Sequence, residues 1–229
     1  APKRRSKKTS EECESVAEMF KGSMPSSYTG PECDYDGPDR TAEEIYEAYK
    51  GLGDMSMELA EKIVEVGEAV GTDPGYLANL MAMEGGFQAQ IINGVCKEKY
   101  DSDPEAVEHC AVGLIQFMPS TAKGLGTTTT DIYMSTAVEQ MAYVQKYYEQ
   151  FGRSYETQGE LYTANFLPAA FNESYQEEYG YGEDFNIYDF YEGEKPNGCD
   201  GDCYSDLNPT VNTIGEYAAH ANSNARLKC

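Results

Sequence analysis

The sequence has few basic residues for its length, and this shortage is the first constraint on its partners. Lysine and arginine number 17 against 40 aspartates and glutamates, which gives a formal net charge of -23 at pH 7. Five of those bases fall within residues 1–10, so the remainder of the chain is more acidic still. A surface of this charge repels phosphate backbones, so we expect no nucleic acid partner. The short basic tail is typical of a flexible, solvated arm.

The sequence also lacks a long apolar run. No stretch approaches the roughly 20 apolar residues that cross a bilayer, and the N-terminus has no apolar signal core. We therefore expect a soluble chain with no membrane span. Its 229 residues are enough for one substantial domain with a buried core.

Paired Cys-x-x-Cys clusters with nearby histidines are missing as well. The seven cysteines are scattered, namely Cys13, Cys33, Cys96, Cys110, Cys199, Cys203 and Cys229. Scattered cysteines favour disulfides over zinc, and hence an extracellular or otherwise oxidising setting. Two pairs each bracket one loop and are the preferred bridges, Cys96 with Cys110 and Cys199 with Cys203. The odd count leaves one thiol free or bridged to another chain. We expect no bound metal and no cofactor.

Start and stop signals for helices predict a mainly α chain with little strand. A capping box at Thr41 and Glu44 starts the first helix, and Asp73 with Pro74 starts the third. The predicted helices cover residues 45–50, 57–70, 74 to 84 or just beyond, 119–124, 136–151 as the longest, and about 159–166. Between them, residues 88–112 are predicted to form a long loop.

These signals divide the chain into three parts. Residues 1–40 are an irregular or flexible N-terminal arm with a short helix near 11–21, 41–170 are the main domain, and 171–229 are an acidic, tyrosine- and glycine-rich C-terminal arm packed on it. Residues 173–206 include eleven acidic residues and one basic residue, a composition that is typical of a solvated irregular segment. A calcium loop at residues 200–202 is the alternative, although it lacks the later glycine and glutamate of an EF-hand. A last short helix is predicted from a capping box at residues 213–216.

Glu84 is the first candidate for chemistry. It ends an apolar segment and is followed by Gly85, Gly86 and Phe87. Desolvation in such a place disfavours the ionised form and raises the pKa of the carboxyl group, which suits a general acid near neutral pH. The alternative is that Glu84 simply faces water at a helix end.

A second block, Gly113-Leu-Ile-Gln-Phe-Met-Pro-Ser-Thr-Ala122, joins a glycine, an amide and apolar residues before a helix start. The glycine permits close backbone approach, and the amide of Gln116 can hydrogen-bond a sugar or an N-acetyl group. Such a segment could line a groove beside Glu84. An ordinary turn followed by a helix is the alternative.

With these two blocks the chain resembles the soluble-type lytic transglycosylases, a family that includes goose-type lysozymes and many phage cell-wall hydrolases. The first family motif, Glu-[Ser/Gly]-x-Phe, reads Glu84-Gly-Gly-Phe87 here. The second, Gly-Leu-Met-Gln-x-Met-Pro-x-Thr-Ala, matches the block from Gly113 to Ala122. The third, Ala-Tyr-Asn-Ala-Gly-Pro, corresponds to residues 163–168 and keeps Asn165 and Pro168 in register.

The sequence departs from the family pattern in two places. Ala164 stands where the third motif has tyrosine, and Tyr162, on the same helical face as Asn165, is the candidate replacement. Asn93 stands where the family often has a substrate-contacting serine, and its amide can still donate and accept. The resemblance covers about residues 57–170, and the wording of the third motif is most similar to phage-borne members.

The resemblance implies a lysozyme-like fold and cleavage of the β-1,4 bond between N-acetylmuramic acid and N-acetylglucosamine in peptidoglycan. Glu84 would protonate the leaving oxygen and then accept a proton from the muramic acid C6 hydroxyl, so that an anhydro ring forms without water. The substrate contacts it implies are Asn93, Gln116 and Asn165, with Met118 and Tyr162 as walls of the subsites.

Other interpretations stay open at this point. A hydrolytic muramidase needs a second carboxylate at about 6.5 to 9.5 Å, for which residues 98–105 offer Glu98, Asp101, Asp103 and Glu105. A non-catalytic structural or glycan-binding tail component could keep the same fold, and chitin cleavage is a further alternative. The acidic surface gives no long-range steering towards an anionic wall. The protein would not need such steering if a virion or phage tail delivered it, with other virion proteins as partners. A salt-rich extracellular setting would also remove the need for steering.

Overall fold

The computed structural model describes residues 39–98, 100 and 103–180, together with the separate positions 186, 187, 189, 213 and 227. Helices dominate these ranges, and their β structure is confined to isolated bridges. The helices are α1 Ala42–Tyr49, α2 Met57–Val70, α3 Pro74–Gly85, α4 Gly94–Glu98, α5 Asp103–His109, α6 Pro119–Gly124, α7 Thr129–Met134, α8 Ala137–Glu149, α9 Gln158–Phe166 and α10 Glu173–Tyr179, with a 3-10 turn at Pro168–Phe171 between α9 and α10. The predicted mainly α class is confirmed.

Local signals set the ends of the longer helices. Helix α2 begins where the Ser56 side chain accepts the Leu59 N–H at 3.1 Å, and it ends at Gly71, whose φ of +72° is left-handed. Helix α3 ends in the same way at Gly86, with φ +56°. The sequence predicted both bounds of α2 and of α6, and it predicted α3 to within one residue.

The sequence prediction was wrong for three segments. The expected loop over residues 88–112 contains α4 and α5, and the expected irregular arm after residue 172 begins with α10. The helix predicted over 136–151 covers only α8, with 13 residues, while α2 has 14. Helix α7 had no counterpart among the predicted helices. Helices of five to seven residues carry too few turns for a periodic signal and depend on tertiary packing.

The predicted bridge between Cys96 and Cys110 is confirmed, and it joins the two short helices α4 and α5. The sulfur atoms bond across a sequence separation of 14 residues. The Cys110 side chain is buried against the core. The bridge thus fastens the segment between Glu84 and the Gln116 block onto the domain.

Helix α3 runs through the core, packed against α1, α2 and α9. Nine of its twelve residues are buried, so its surroundings are apolar on all sides. Around it lie the largest buried groups of the neighbouring helices, among them Tyr49, Ile63 and Leu59. Glu84 occupies the last turn of α3, so a polar carboxyl group emerges where the core helix ends.

Parts of the C-terminal segment also contact the domain. Ile187 is fully buried, and the backbone oxygen of Leu227 accepts a hydrogen bond from the Asn79 amide at 3.1 Å. The division into arms and domain stays a prediction. The helix expected near 11–21, the pair Cys199 and Cys203, the calcium-loop alternative at 200–202 and the helix expected after 213 lie outside the described residues. Within the described part, no helix is long and apolar enough to cross a bilayer, and no three possible metal ligands cluster together.

Candidate active site

Glu84 is held by a tight turn that closes α3. Phe87 adopts a φ of +58° and is completely buried, with its ring centroid 5.0 Å from that of Tyr49. Its backbone oxygen accepts the Asp54 N–H at 3.0 Å. A β-carbon on Gly53 would lie only 2.1 Å from the Gly86 oxygen, so the backbone at Gly53 packs directly against the backbone at Gly86. The turn fixes the direction in which the Glu84 side chain leaves the core.

The block around Gln116 forms a second tight turn, on the same side of α3 as the turn that follows Glu84. Val112 and Phe117 exchange backbone hydrogen bonds at 3.1 and 2.8 Å, and Gly113 has a φ of +75°. Gln116 has a φ of +56°, which is uncommon for a residue with a side chain. Its amide nitrogen donates to the Gly113 oxygen at 3.1 Å, and the residue remains partly exposed. The amide therefore lies on the turn with a face towards solvent.

Asn165 joins the three sequence motifs. It lies in the last turn of α9, and its amide nitrogen donates to Glu84 Oε1 at 3.3 Å and to the Ile115 oxygen at 3.4 Å. The structure thus brings together Glu84, the turn before Gln116 and the asparagine of the third motif, as the resemblance implied. One neutral amide connects segments that are 50 and 81 residues apart in sequence.

The surroundings of Glu84 disfavour its charged form. Burial raises the pKa of its carboxyl group to about 7, and the hydrogen bond from Asn165 partly opposes this rise. No charged side chain of the described residues contributes to the shift. The residue as a whole nevertheless keeps some exposed surface at the end of α3. A carboxyl group with these properties can donate and accept a proton near pH 7.

Three tyrosines, Tyr147, Tyr148 and Tyr162, lie behind the carboxyl group. Burial raises the pKa of each phenol, and the negative charge of Glu84 raises it further. Tyr162 is fully buried, and Gln158 partly opposes the rise in the pKa of its phenol. The sequence analysis expected Tyr162 to form a wall of the substrate subsites, and such a wall must be exposed. In the structure Tyr162 instead lies in the core, behind Glu84.

The remaining predicted contacts lie in different environments. Met118 is 49% exposed immediately before α6, where an apolar side chain can meet a ligand. Asn93 is buried, and its side-chain oxygen accepts the Cys96 N–H at 2.9 Å at the start of α4. With that bond Asn93 caps the start of α4. Its contact with a glycan stays a prediction.

The candidates for a second acid lie on the short helices joined by the disulfide. Glu98 and Glu105 are exposed on α4 and α5. Asp101 and the side chain of Asp103 lie outside the described residues. Neither exposed glutamate contributes to the pKa shift of Glu84.

Gln140 is a residue that the sequence reasoning missed. It is fully buried on α8, where its oxygen accepts the Leu114 N–H at 3.0 Å and its nitrogen donates to the Ala89 and Ile132 oxygens, each at 2.8 Å. A β-carbon on Gly113 would lie 2.4 Å from the Gln140 oxygen, so glycine is required there. The available signal was an amide placed between the apolar positions of a helix.

A desolvated acid at the end of a core helix, bonded to one amide that also reaches the turn before Gln116, is typical of lysozyme-like helical domains. Comparison with protein families agrees, because residues 62–164 match the family model described as the transglycosylase SLT domain. Residues 62–164 therefore form a transglycosylase SLT-type domain, and this match supports a lytic-transglycosylase-type, peptidoglycan-degrading function in general terms. The match includes Glu84 and the Gln116 block and stops one residue before Asn165. Neither the comparison with curated proteins nor that with solved structures found a match.

Proposed function

We propose that this protein cleaves the β-1,4 bond between N-acetylmuramic acid and N-acetylglucosamine as a lytic transglycosylase, with Glu84 as its single acid and base. The observation that carries the proposal is the state of the Glu84 carboxyl group. Burial raises its pKa to about 7, its side-chain partner is one neutral amide, and the residue as a whole remains partly exposed.

In the first step, protonated Glu84 gives its proton to the glycosidic oxygen as the bond to the muramic acid C1 breaks. At pH 7 about half of the molecules carry this proton, because the pKa is about 7. The N-acetylglucosamine leaves with a new hydroxyl group, and Glu84 is now ionised. The Asn165 N–H stabilises this carboxylate, because its hydrogen bond favours the charged form.

In the second step, the Glu84 carboxylate accepts the proton of the muramic acid C6 hydroxyl while the C6 oxygen bonds to C1. The product is a 1,6-anhydro ring, no water is consumed, and Glu84 regains its proton. Gln116, Asn93 and Met118 are the proposed contacts for the N-acetyl and hydroxyl groups, and Asn165 holds the acid. Tyr162 supports the acid from within the core.

A hydrolytic muramidase is the second candidate, since it would use the same acid. It would need a second carboxylate across the sugar to position a water molecule. The pKa of Glu84 carries no contribution from such a group among the described residues, which supports the single-acid route. The exposed Glu98 and Glu105 are the described residues that could serve the hydrolytic route.

We further propose that the protein works outside the cytoplasm, secreted or carried by a virion or phage tail. The bridge between Cys96 and Cys110 supports an oxidising setting. The net charge of -23 supports delivery to the wall by a larger assembly instead of electrostatic attraction. Detection of the chain by immunoblot in purified virions or in culture medium tests this part, and its retention in the cytoplasm alone would contradict it.

The clearing of purified sacculi tests the catalytic assignment. Parent protein should lower the turbidity of a sacculus suspension, while Glu84→Gln, which keeps the side-chain size and replaces the carboxyl group with an amide, should lose at least about a hundredfold in rate. Glu61→Gln removes an exposed carboxylate on α2 and is the matched control, with clearing expected at the parent rate. Activity of Glu84→Gln equal to that of the parent would overturn the assignment. Sacculus binding by the parent without release of product would favour the non-catalytic module.

A further inference from the structure

The end of helix α9 leaves one buried carbonyl group without its helical partner. In an α-helix the oxygen of Ala164 would accept the N–H of residue 168. Residue 168 is proline and has no N–H, so the chain itself cannot supply this bond. Ala164 is fully buried, which keeps water from serving as the donor. A buried carbonyl group of this kind needs a donor from elsewhere in the fold.

Tyr147 on helix α8 supplies that donor. Its hydroxyl group donates to the Ala164 oxygen at 2.6 Å. The side chain is 6% exposed, and its ring makes edge-on contacts with Tyr148 and Phe151, with centroids 5.2 and 5.4 Å away. These contacts hold the phenol ring in place, so the hydroxyl group is fixed relative to the backbone of α9.

Ala164 directly precedes Asn165, whose amide reaches Glu84 and Ile115. The two bonds of that amide measure 3.3 and 3.4 Å, which is long for N–H···O. A backbone shift of a few tenths of an ångström would therefore break them. The bond from Tyr147 restrains the backbone at the point where such a shift would start.

We infer that Tyr147 is a positioning residue that keeps the Asn165 amide on the Glu84 carboxyl group by closing the last turn of α9. Gln140, seven residues earlier on α8, holds the Gly113 turn in the same manner. Seven residues are about two helical turns, so both side chains leave one face of α8. This helix thus holds the two segments that flank Glu84. The inference rests on the proposed role of Glu84 as acid and base.

The groups that face Glu84 in the described structure permit a clean titration. They are the phenols of Tyr147 and Tyr148 on α8, the phenol of Tyr162 on α9 and the neutral amide of Asn165. Burial raises the pKa of all three phenols, so they stay protonated between pH 4 and 9. A change in the Glu84 titration over this range therefore reports on Glu84 and its hydrogen bond.

The test is a carbon-13 NMR titration of the Glu84 carboxyl group in the full chain, with the signal assigned through Glu84→Gln. Asn165→Ala should raise the pKa by about one unit, because it removes the bond that favours the charged form. Tyr147→Phe should raise the pKa in the same direction by no more than that amount. The double variant should show no further rise, because Tyr147 acts through Asn165.

Kinetics on sacculi give the second arm. Tyr147→Phe should lower kcat by up to about a hundredfold and leave KM within about twofold, since it misplaces the acid without touching the substrate. Tyr143→Phe removes a hydroxyl group from a partly buried tyrosine of the same helix and is the matched control, with both constants expected at parent values.

Three results would overturn the inference: a Tyr147→Phe titration equal to the parent's, additive shifts in the double variant, or a Tyr147→Phe protein that does not fold. The last would assign the hydroxyl group to the whole fold instead of to Asn165. The titration needs no substrate, so it separates this inference from the proposed function. A shifted pKa in a protein that releases no product from sacculi would support the positioning role and reject the transglycosylase.

Discussion

The carboxyl group of Glu84 should make the stability of this protein depend on pH by an amount that the structure sets. Its pKa is about 7 in the folded protein, against 4.5 for the ordinary group. One pKa unit corresponds to about 1.36 kcal/mol, so this shift corresponds to about 3 kcal/mol. Because the folded pKa is the higher one, the favourable contribution is complete below pH 4.5. It is lost as the pH rises through 7, where the buried group must ionise.

The variant Glu84→Gln removes the titrating group and keeps the side chain nearly the same size. Relative to this variant, the parent should lose about 3 kcal/mol of unfolding free energy between pH 4 and pH 8. For a protein of this size that loss corresponds to about 6 to 12 °C in the difference between the two Tm values. Urea unfolding at pH 4, 6 and 8 measures the change, and titrations common to both proteins cancel in the comparison.

The matched control is Glu61→Gln, because Glu61 is exposed on α2. Its difference from the parent should stay nearly constant over the same pH range. A difference between parent and Glu84→Gln that does not change from pH 4 to pH 8 would refute the argument that burial holds the pKa of Glu84 near 7.

Two further predictions concern the turn at Gly113 and the pH dependence of the reaction. Gly113→Ala should lower the unfolding free energy by about 3 kcal/mol, because the added β-carbon meets Gln140 at 2.4 Å. Gly51→Ala, with φ +83° and open space around it, adds the backbone strain alone and should cost less; equal losses by urea unfolding would contradict the clash. The clearing rate of sacculi should fall about tenfold per pH unit above pH 7, since only protonated Glu84 donates. A rate that stays level to pH 9 would exclude Glu84 as the acid.

Local chemistry explains which parts of the fold the sequence could predict. Met57–Val70 has its stop at Gly71 and its apolar residues at helical spacing, so both of its ends were readable. The pKa rise of Glu84 followed from an apolar segment that ends in two glycines, and its direction was also predicted correctly. In each case the decisive residues lie within one or two helical turns of one another.

The features that the sequence did not predict depend on contacts between distant segments. Gln140 holds residues that lie 26 and 51 positions away, and Tyr147 completes a helix end 17 positions away. A local pattern can place such a side chain on the inner face of a helix, but it does not identify the distant groups that the side chain binds. Tyr162 shows the converse case, because its place on a helix was predicted while its depth in the core depended on the packing of several helices. The short helices α4 and α5 likewise owe their place to the core and the disulfide between them.

The mass of the muropeptides released from purified peptidoglycan tests the central claim most directly. If Glu84 acts as both acid and base, the muramic acid ends should carry the 1,6-anhydro ring and be lighter by one water than hydrolysed ends. The Glu84→Gln protein should release neither form. Muramic acid ends that retain the full water from the first minutes of digestion would contradict the single-carboxylate mechanism and assign the protein to the hydrolytic muramidases.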